Sequence, residues 1–156
     1  MKTVLRCAGT GALALAIACG GSLAAAGKTM IHTQTLDFAL DRTIPLHVTV
    51  GDLEIRDLRI TRDDRRLFDQ VLPPRGGQSR FSWLQYAVFV ENPADVSWNL
   101  GVRIRLLDRA GAIIDEFEFR ERVWRGRAKK VDLRRITLNY VIPLIDKVEI
   151  TLTADR

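Results

Sequence analysis

Between Phe81 and Val123, apolar and polar residues alternate with a period of two on both sides of a glycine-marked turn. An extended chain places successive side chains on opposite faces, so this stretch is constrained to half-buried antiparallel strands. Val96, Trp98, Leu100, Val102, Ile104 and Leu106 fall on one face, with Ser97, Asn99, Gly101, Arg103 and Arg105 on the other. Past the turn, Ile113, Phe117 and Phe119 continue the apolar face, while Glu116, Glu118, Arg120 and Arg122, together with Ile114, continue the solvated one.

Asp108-Arg109-Ala110-Gly111 suits a type I turn, with Asp at its first position and Gly free to become left-handed at its last. A two- or four-residue loop sets Leu100 opposite Phe119, Val102 opposite Phe117 and Arg103 opposite Glu116. A three-residue loop sets Arg103 against Phe117 and turns every side chain to the wrong face, so the first register is expected. It leaves Asp115 facing Ile104 on the apolar side, which requires a place at the sheet margin or a local bulge.

Upstream, Leu36, Phe38 and Leu40, then Ile44, Leu46, Val48 and Val50, alternate with Pro45, His47 and Thr49. Gly51 and Asp52 interrupt the run, and Leu53, Ile55, Leu58 and Ile60 resume it with a slip of phase. A bend or bulge is expected there, allowing one long strand to change direction. Residues 61–79 turn to charge, Pro and Gly and form the main surface loop. Phe81 to Val90 is apolar on both faces, with Trp83, Ala87 and Phe89 on one and Leu84, Tyr86, Val88 and Val90 on the other, predicting burial between layers. Glu91 to Asp95 supplies a turn through Pro93. Val131 and Leu133, then Val148, Ile150 and Leu152, mark further strands, separated by a helical turn or crossover around Pro143. About seven to nine short strands predict an all-β fold, a two-sheet antiparallel immunoglobulin-like β-sandwich.

The N-terminus carries a separate signal. Lys2 and Arg6 precede an apolar stretch from Ala12 to Ala18 and then small residues, the pattern of a secretory signal peptide, and shorter than the ~20 apolar residues of a membrane span. Ala24-Ala25-Ala26 before Gly27 fits ordinary cleavage, giving a signal peptide over 1–26 and an exported, periplasmic protein. The competing reading is a lipoprotein signal over 1–18, in which Ala16-Ile17-Ala18-Cys19 makes Cys19 the lipidated first residue, although Ala16 stands where such motifs usually carry Leu. Membrane attachment is expected only on that second reading. Cys7 and Cys19 both precede Gly27, so the mature chain has neither an internal disulfide nor a thiol nucleophile. Residues 27–35 lack a strong period and are expected to be a tether, with the β-sandwich domain over 36–156.

The strand running into Val90-Glu91-Asn92-Pro93, the strand ending Leu106-Leu107-Asp108 with Gly111 turning it, Phe117 and Phe119 in the next, and a closing Val148-Glu149-Ile150 strand resemble the FxLyD-type and related LEA-like Ig-fold domains of exported bacterial proteins. The resemblance covers residues 81–153. The connection through Arg125 and Gly126 matches the glycine-containing one of those domains, though its basic content does not belong to their pattern. What the resemblance implies is an accessory or binding domain without catalytic residues.

Residue chemistry points the same way. His32 and His47 have no His or Cys at ligand spacing, and Ser79, Ser82 and Ser97 lack a nucleophile-elbow frame. Asp115 and Glu116, adjacent on a strand, point to opposite faces, and Asp63-Asp64 lies among Arg62, Arg65 and Arg66. No catalytic residue, metal ligand or cofactor is assigned. Positive charge concentrates instead in Arg120, Arg122, Arg125, Arg127, Lys129, Lys130, Arg134 and Arg135, against only Glu121 and Asp132. With Trp124 among them, these residues are the expected site for an anionic partner: a glycan, a lipid headgroup or an acidic protein. A solvated face that also blunts edge strands is the plainer alternative. Export argues against nucleic acid, and an unidentified envelope protein or anionic envelope component is the expected partner. Trp83 and Trp98, on apolar faces, are expected in the core.

Overall fold

The period-two alternation is realised as eight strands in two antiparallel four-stranded sheets, in a computed structural model that describes residues 29–63 and 80–156. The expected signal peptide, Cys19 and most of the expected 61–79 loop lie outside the described residues, and residues 61–63 of that loop belong instead to a strand. The strands are β1 (Met30–Asp37), β2 (Arg42–Val50), β3 (Leu53–Asp63), β4 (Phe81–Asn92), β5 (Trp98–Leu107), β6 (Ile113–Val123), β7 (Arg127–Leu138) and β8 (Lys147–Asp155). One sheet has the order β1-β8-β5-β6 and the other β2-β3-β4-β7. A 3-10 turn over Ile142–Leu144, built around Pro143, joins β7 to β8.

The core lies between the sheets. Leu100, Val102, Ile104 and Leu106 of β5 and Ile150 and Leu152 of β8 are fully buried, as are Leu84, Tyr86 and Val88 of β4 and Leu58 and Ile60 of β3. At roughly 1.5–3 kcal/mol for each large apolar side chain removed from water, this face is the main source of stability.

The expected tether over 27–35 is corrected within the described residues: from Met30 onward it is strand β1. β1 pairs with β8 without interruption, from Met30 opposite Ala154 to Asp37 opposite Lys147. Its half-buried positions are Met30, His32, Gln34 and Leu36. Two polar residues on the inward face conceal the period from a hydropathy reading.

The β5–β6 register is also corrected. Val102 faces Phe119, Arg103 faces Glu118 and Ile104 faces Phe117, two residues away from the expected pairing. The loop is in fact three residues long: the Asp108 amide donates to the Ala112 carbonyl, and Gly111, at φ 82°, donates to the Asp108 carbonyl. Asp108 Oδ1 accepts from the amides of Ala110 and Ala112, fixing this geometry. Such a loop alone would turn β6 inside out. The irregularity between Leu106 and Leu107, where Leu106 faces Asp115 and Leu107 faces Ile113, adds one residue on β6 and restores the apolar face.

Gly51 and Asp52 form the two-residue turn of the β2–β3 hairpin, not a bend in one long strand, since Val50 faces Leu53. Gly51 takes φ 66° beneath the Trp98 ring. The slip of phase after Ile55 is a bulge: pairing with β4 shifts between Ile55 and Asp57. The second apolar face of β4 is the outer face of its sheet, where Trp83 and Phe89 are half-buried and Ala87 is buried. Trp98 and Phe117 join the core, and Phe119 packs against it half-buried.

Candidate functional site

The basic segment occupies edge strands of both sheets, β6 and β7, and the turn that carries the chain between them. Because alternate residues of each strand point opposite ways, eight cations clustered within residues 120–135 diverge in space. On the outer face of the β6 sheet, Arg120 Nε lies 3.2 Å from Glu118 Oε1. That carboxylate also accepts from Arg103 Nη2 at 3.1 Å. Hydrogen bonds from Arg103 and then Arg120 hold the Glu118 carboxyl below its ordinary range. Arg105 continues the lattice to Glu116 at 3.2 Å and Glu149 at 3.1 Å, and the Glu116 hydrogen bond raises its guanidinium above the usual value.

Lys129 and Arg135 point toward the open side between the sheets. Lys129 Nζ reaches Glu121 Oε1 of β6 at 2.5 Å, and Arg135 Nη2 reaches Asp115 Oδ1 at 3.6 Å. The Arg135 guanidinium also lies 5.3 Å from the centre of the Phe117 ring. Beneath it, Tyr86 is fully buried, its ring 4.7 Å from Phe117. Burial, and then the nearby Asp115 charge, push the Tyr86 hydroxyl above its ordinary pKa. These two cations close the edge of the core.

Lys130 and Arg134 project on the outer face of the other sheet, in register with Phe89 and Gln85. Lys130 helps line a shallow groove of about 280 Å³ with Arg56, Asp57 and Phe89. A second groove, of about 460 Å³, lies at the opposite end between the β5–β6 turn and Pro143, Leu144 and Asp146.

Arg122, Trp124, Arg125 and Arg127 remain, gathered at the β6–β7 turn. Gly126, at φ 59°, makes the turn sharp, and its amide donates to the Ala94 carbonyl at 3.2 Å. Asn92, fully buried, braces the same corner: its Nδ2 donates to the carbonyls of Val96 and Val123, and its Oδ1 accepts from the Ala94 amide. Trp124 is thereby held 56% exposed, with the Arg122 guanidinium 4.5 Å from its ring centre. Arg125 and Arg127 are exposed and form no ion pair among the described residues. A stacked indole beside unpaired guanidiniums is suited to a flat or anionic surface. Asn92 was missed as a site-forming residue; its place just before Pro93, at the end of an apolar strand, was the available signal.

His47 is exposed at a bulge in β2 with φ 49°, and His32 is half-buried on β1. No group of three or more His, Cys, Asp or Glu that could hold a metal occurs among the described residues. No helix among them is long and apolar enough to cross a membrane.

Fold and site together define an all-β protein of two packed sheets with an aromatic, basic turn at one end. No protein-family model matches the chain, and no curated protein matches it. Among solved structures, it is similar to the enzymatically active domain of tailspike protein 4 of bacteriophage CBA120, at 12% identity and a TM-score of 0.27. That alignment covers 80% of this chain but 17% of the tailspike chain. A TM-score at this level carries no inference about fold or activity.

Proposed function

We propose that the chain is an exported bacterial envelope protein whose immunoglobulin-like β-sandwich, of the FxLyD or LEA-like kind, serves as a non-catalytic interaction or accessory module. The leader pattern around Lys2, Arg6 and Ala12 to Ala18 supports export. The observation that carries the interaction reading is Trp124: a large aromatic held 56% exposed by a braced turn and stacked by Arg122, where packing alone would have buried it. The module meets its partner through this turn.

A second reading, a binding domain for an anionic glycan, lipid headgroup or acidic protein through residues 120–135, draws on the same place. Arg122, Arg125 and Arg127 favour it. Lys129 and Arg135 contribute less, being held by Glu121 and Asp115.

Mass spectrometry of the mature N-terminus tests export. A chain beginning at Gly27, or at a lipidated Cys19, supports it, and an unprocessed Met1 in the cytosol sinks it. Capture from envelope extract at low and high salt separates the readings. Loss of partner at high salt supports the ionic one, and salt-resistant capture supports the accessory module.

A further inference from the structure

We infer that the Trp124 end of the fold is its membrane-facing end, and that Trp124, Arg125 and Arg127 lie on an anionic phospholipid surface. The inference rests on the lipidated form of the export reading above, with Cys19 as the anchor, and identifies the occupant of the same turn. The direction of β1 is the independent observation. β1 runs away from this end, and Met30 shares a row of the sheet with Ala154, Leu100 and Glu121. Met30 therefore enters the fold level with Glu121, two residues before β6 ends at Val123 and roughly 15 Å away across three strand spacings.

Cys19 stands eleven residues before Met30, a reach of at most roughly 40 Å even when fully extended. A chain lipidated there would hold the turn within reach of the bilayer, whereas the opposite end would lie a strand length farther off. The chemistry of the turn agrees with this orientation. Trp favours the membrane–water interface, and basic residues near an anionic leaflet add attraction. Two acidic groups of this end are neutralised, Asp52 by Arg156 at 2.9 Å and Glu121 by Lys129, while Asp155 keeps its charge beside the neutral Asn99 amide at 2.9 Å. Asp95, Glu54 and Asp155 are left against Arg122, Arg125 and Arg127. Net charge is thus near zero, so the attraction is local to Arg125 and Arg127 at the tip of the turn, and the indole supplies much of the contact.

The test uses the processed full chain as isolated from cells, with phosphatidylcholine vesicles made with or without phosphatidylglycerol and carrying brominated acyl chains as fluorescence quenchers. Trp98, 2% exposed, is shielded, and Trp83, opposite Ile136, lies toward the other end of its sheet. Quenching is expected with the anionic vesicles, lost in Trp124→Phe, and reduced about tenfold in effective affinity by Arg125→Gln with Arg127→Gln. Leu144→Ala, at the opposite end, leaves it unchanged. Absence of quenching, equal quenching in Trp124→Phe, or indifference to phosphatidylglycerol overturns the inference. Failure here with a processed N-terminus defeats only the membrane orientation; an unprocessed cytosolic chain defeats the export reading beneath it.

Discussion

Arg135 and Asp115 belong to strands of different sheets, yet their side chains meet at 3.6 Å across the open side of the core. The pair explains why an acidic residue is tolerated on the inward face of β6: the extra β6 residue opposite Leu106 and Leu107 sets Asp115 at the margin, where a cation from β7 reaches it. Both side chains are partly solvated, so their mutual attraction should be at most about 1 kcal/mol in a double-mutant cycle. Arg135→Ala should cost more than Asp115→Asn, since it also uncovers Phe117. Urea midpoints with an unchanged m-value check this; equal costs would leave the Phe117 contact without energetic weight.

Tyr86 offers a test of opposite sign. Its hydroxyl is buried and makes no hydrogen bond among the described residues. Tyr86→Phe should therefore leave stability at neutral pH unchanged or raise it by up to about 1 kcal/mol. The folded pKa is raised above the unfolded one, so this group's contribution is fully present below about pH 10 and is lost as pH rises further. Wild-type protein should lose stability above that pH faster than Tyr86→Phe. Identical alkaline profiles would contradict the placement.

Glu118 contributes on the acid side. Arg103 and Arg120 depress its folded pKa below the unfolded value, so its contribution is present above the ordinary Glu pKa, about 4.3, and is lost as pH falls through the lower folded value. Thermal unfolding followed from neutral to acid pH should show Glu118→Gln with a shallower decline than wild type. The pair is solvent-exposed, so the difference should shrink in high salt.

Asn92 is the most sensitive single position at the turn. Asn92→Ala leaves the Val96 and Val123 carbonyls and the Ala94 amide without their side-chain partner and should cost about 2–4 kcal/mol. A chemical denaturation midpoint within error of wild type would remove it from the account of how Trp124 is held.

Much of the two-sheet arrangement was legible because β5 and β8 each bury a clean apolar alternation and β4 is apolar on both faces, and the slip between Ile55 and Leu58 marked a real bulge. What escaped did so for local physical reasons. β1 was hidden because His32 and Gln34 occupy inward positions. The β5–β6 register was hidden because two deviations, a three-residue loop and an extra residue on β6, cancel in facing while shifting the pairing by two. The site was half legible. Composition located the cations, but only the turn at Gly126, which sends β6 and β7 into different sheets, separates Lys129 and Arg135, held across the core edge, from Arg125 and Arg127.

The most direct measurement places a photo-crosslinking amino acid at residue 124 of the full chain in living cells, with Thr33 on the outer face of β1 and Tyr140 at the opposite end as comparison positions. Crosslinking from 124 to an envelope component, and none from 33 or 140, is the predicted result. Crosslinks arising from 33 or 140 while 124 gives none, or products confined to cytosolic proteins, would contradict an exported module that works through its β6–β7 turn.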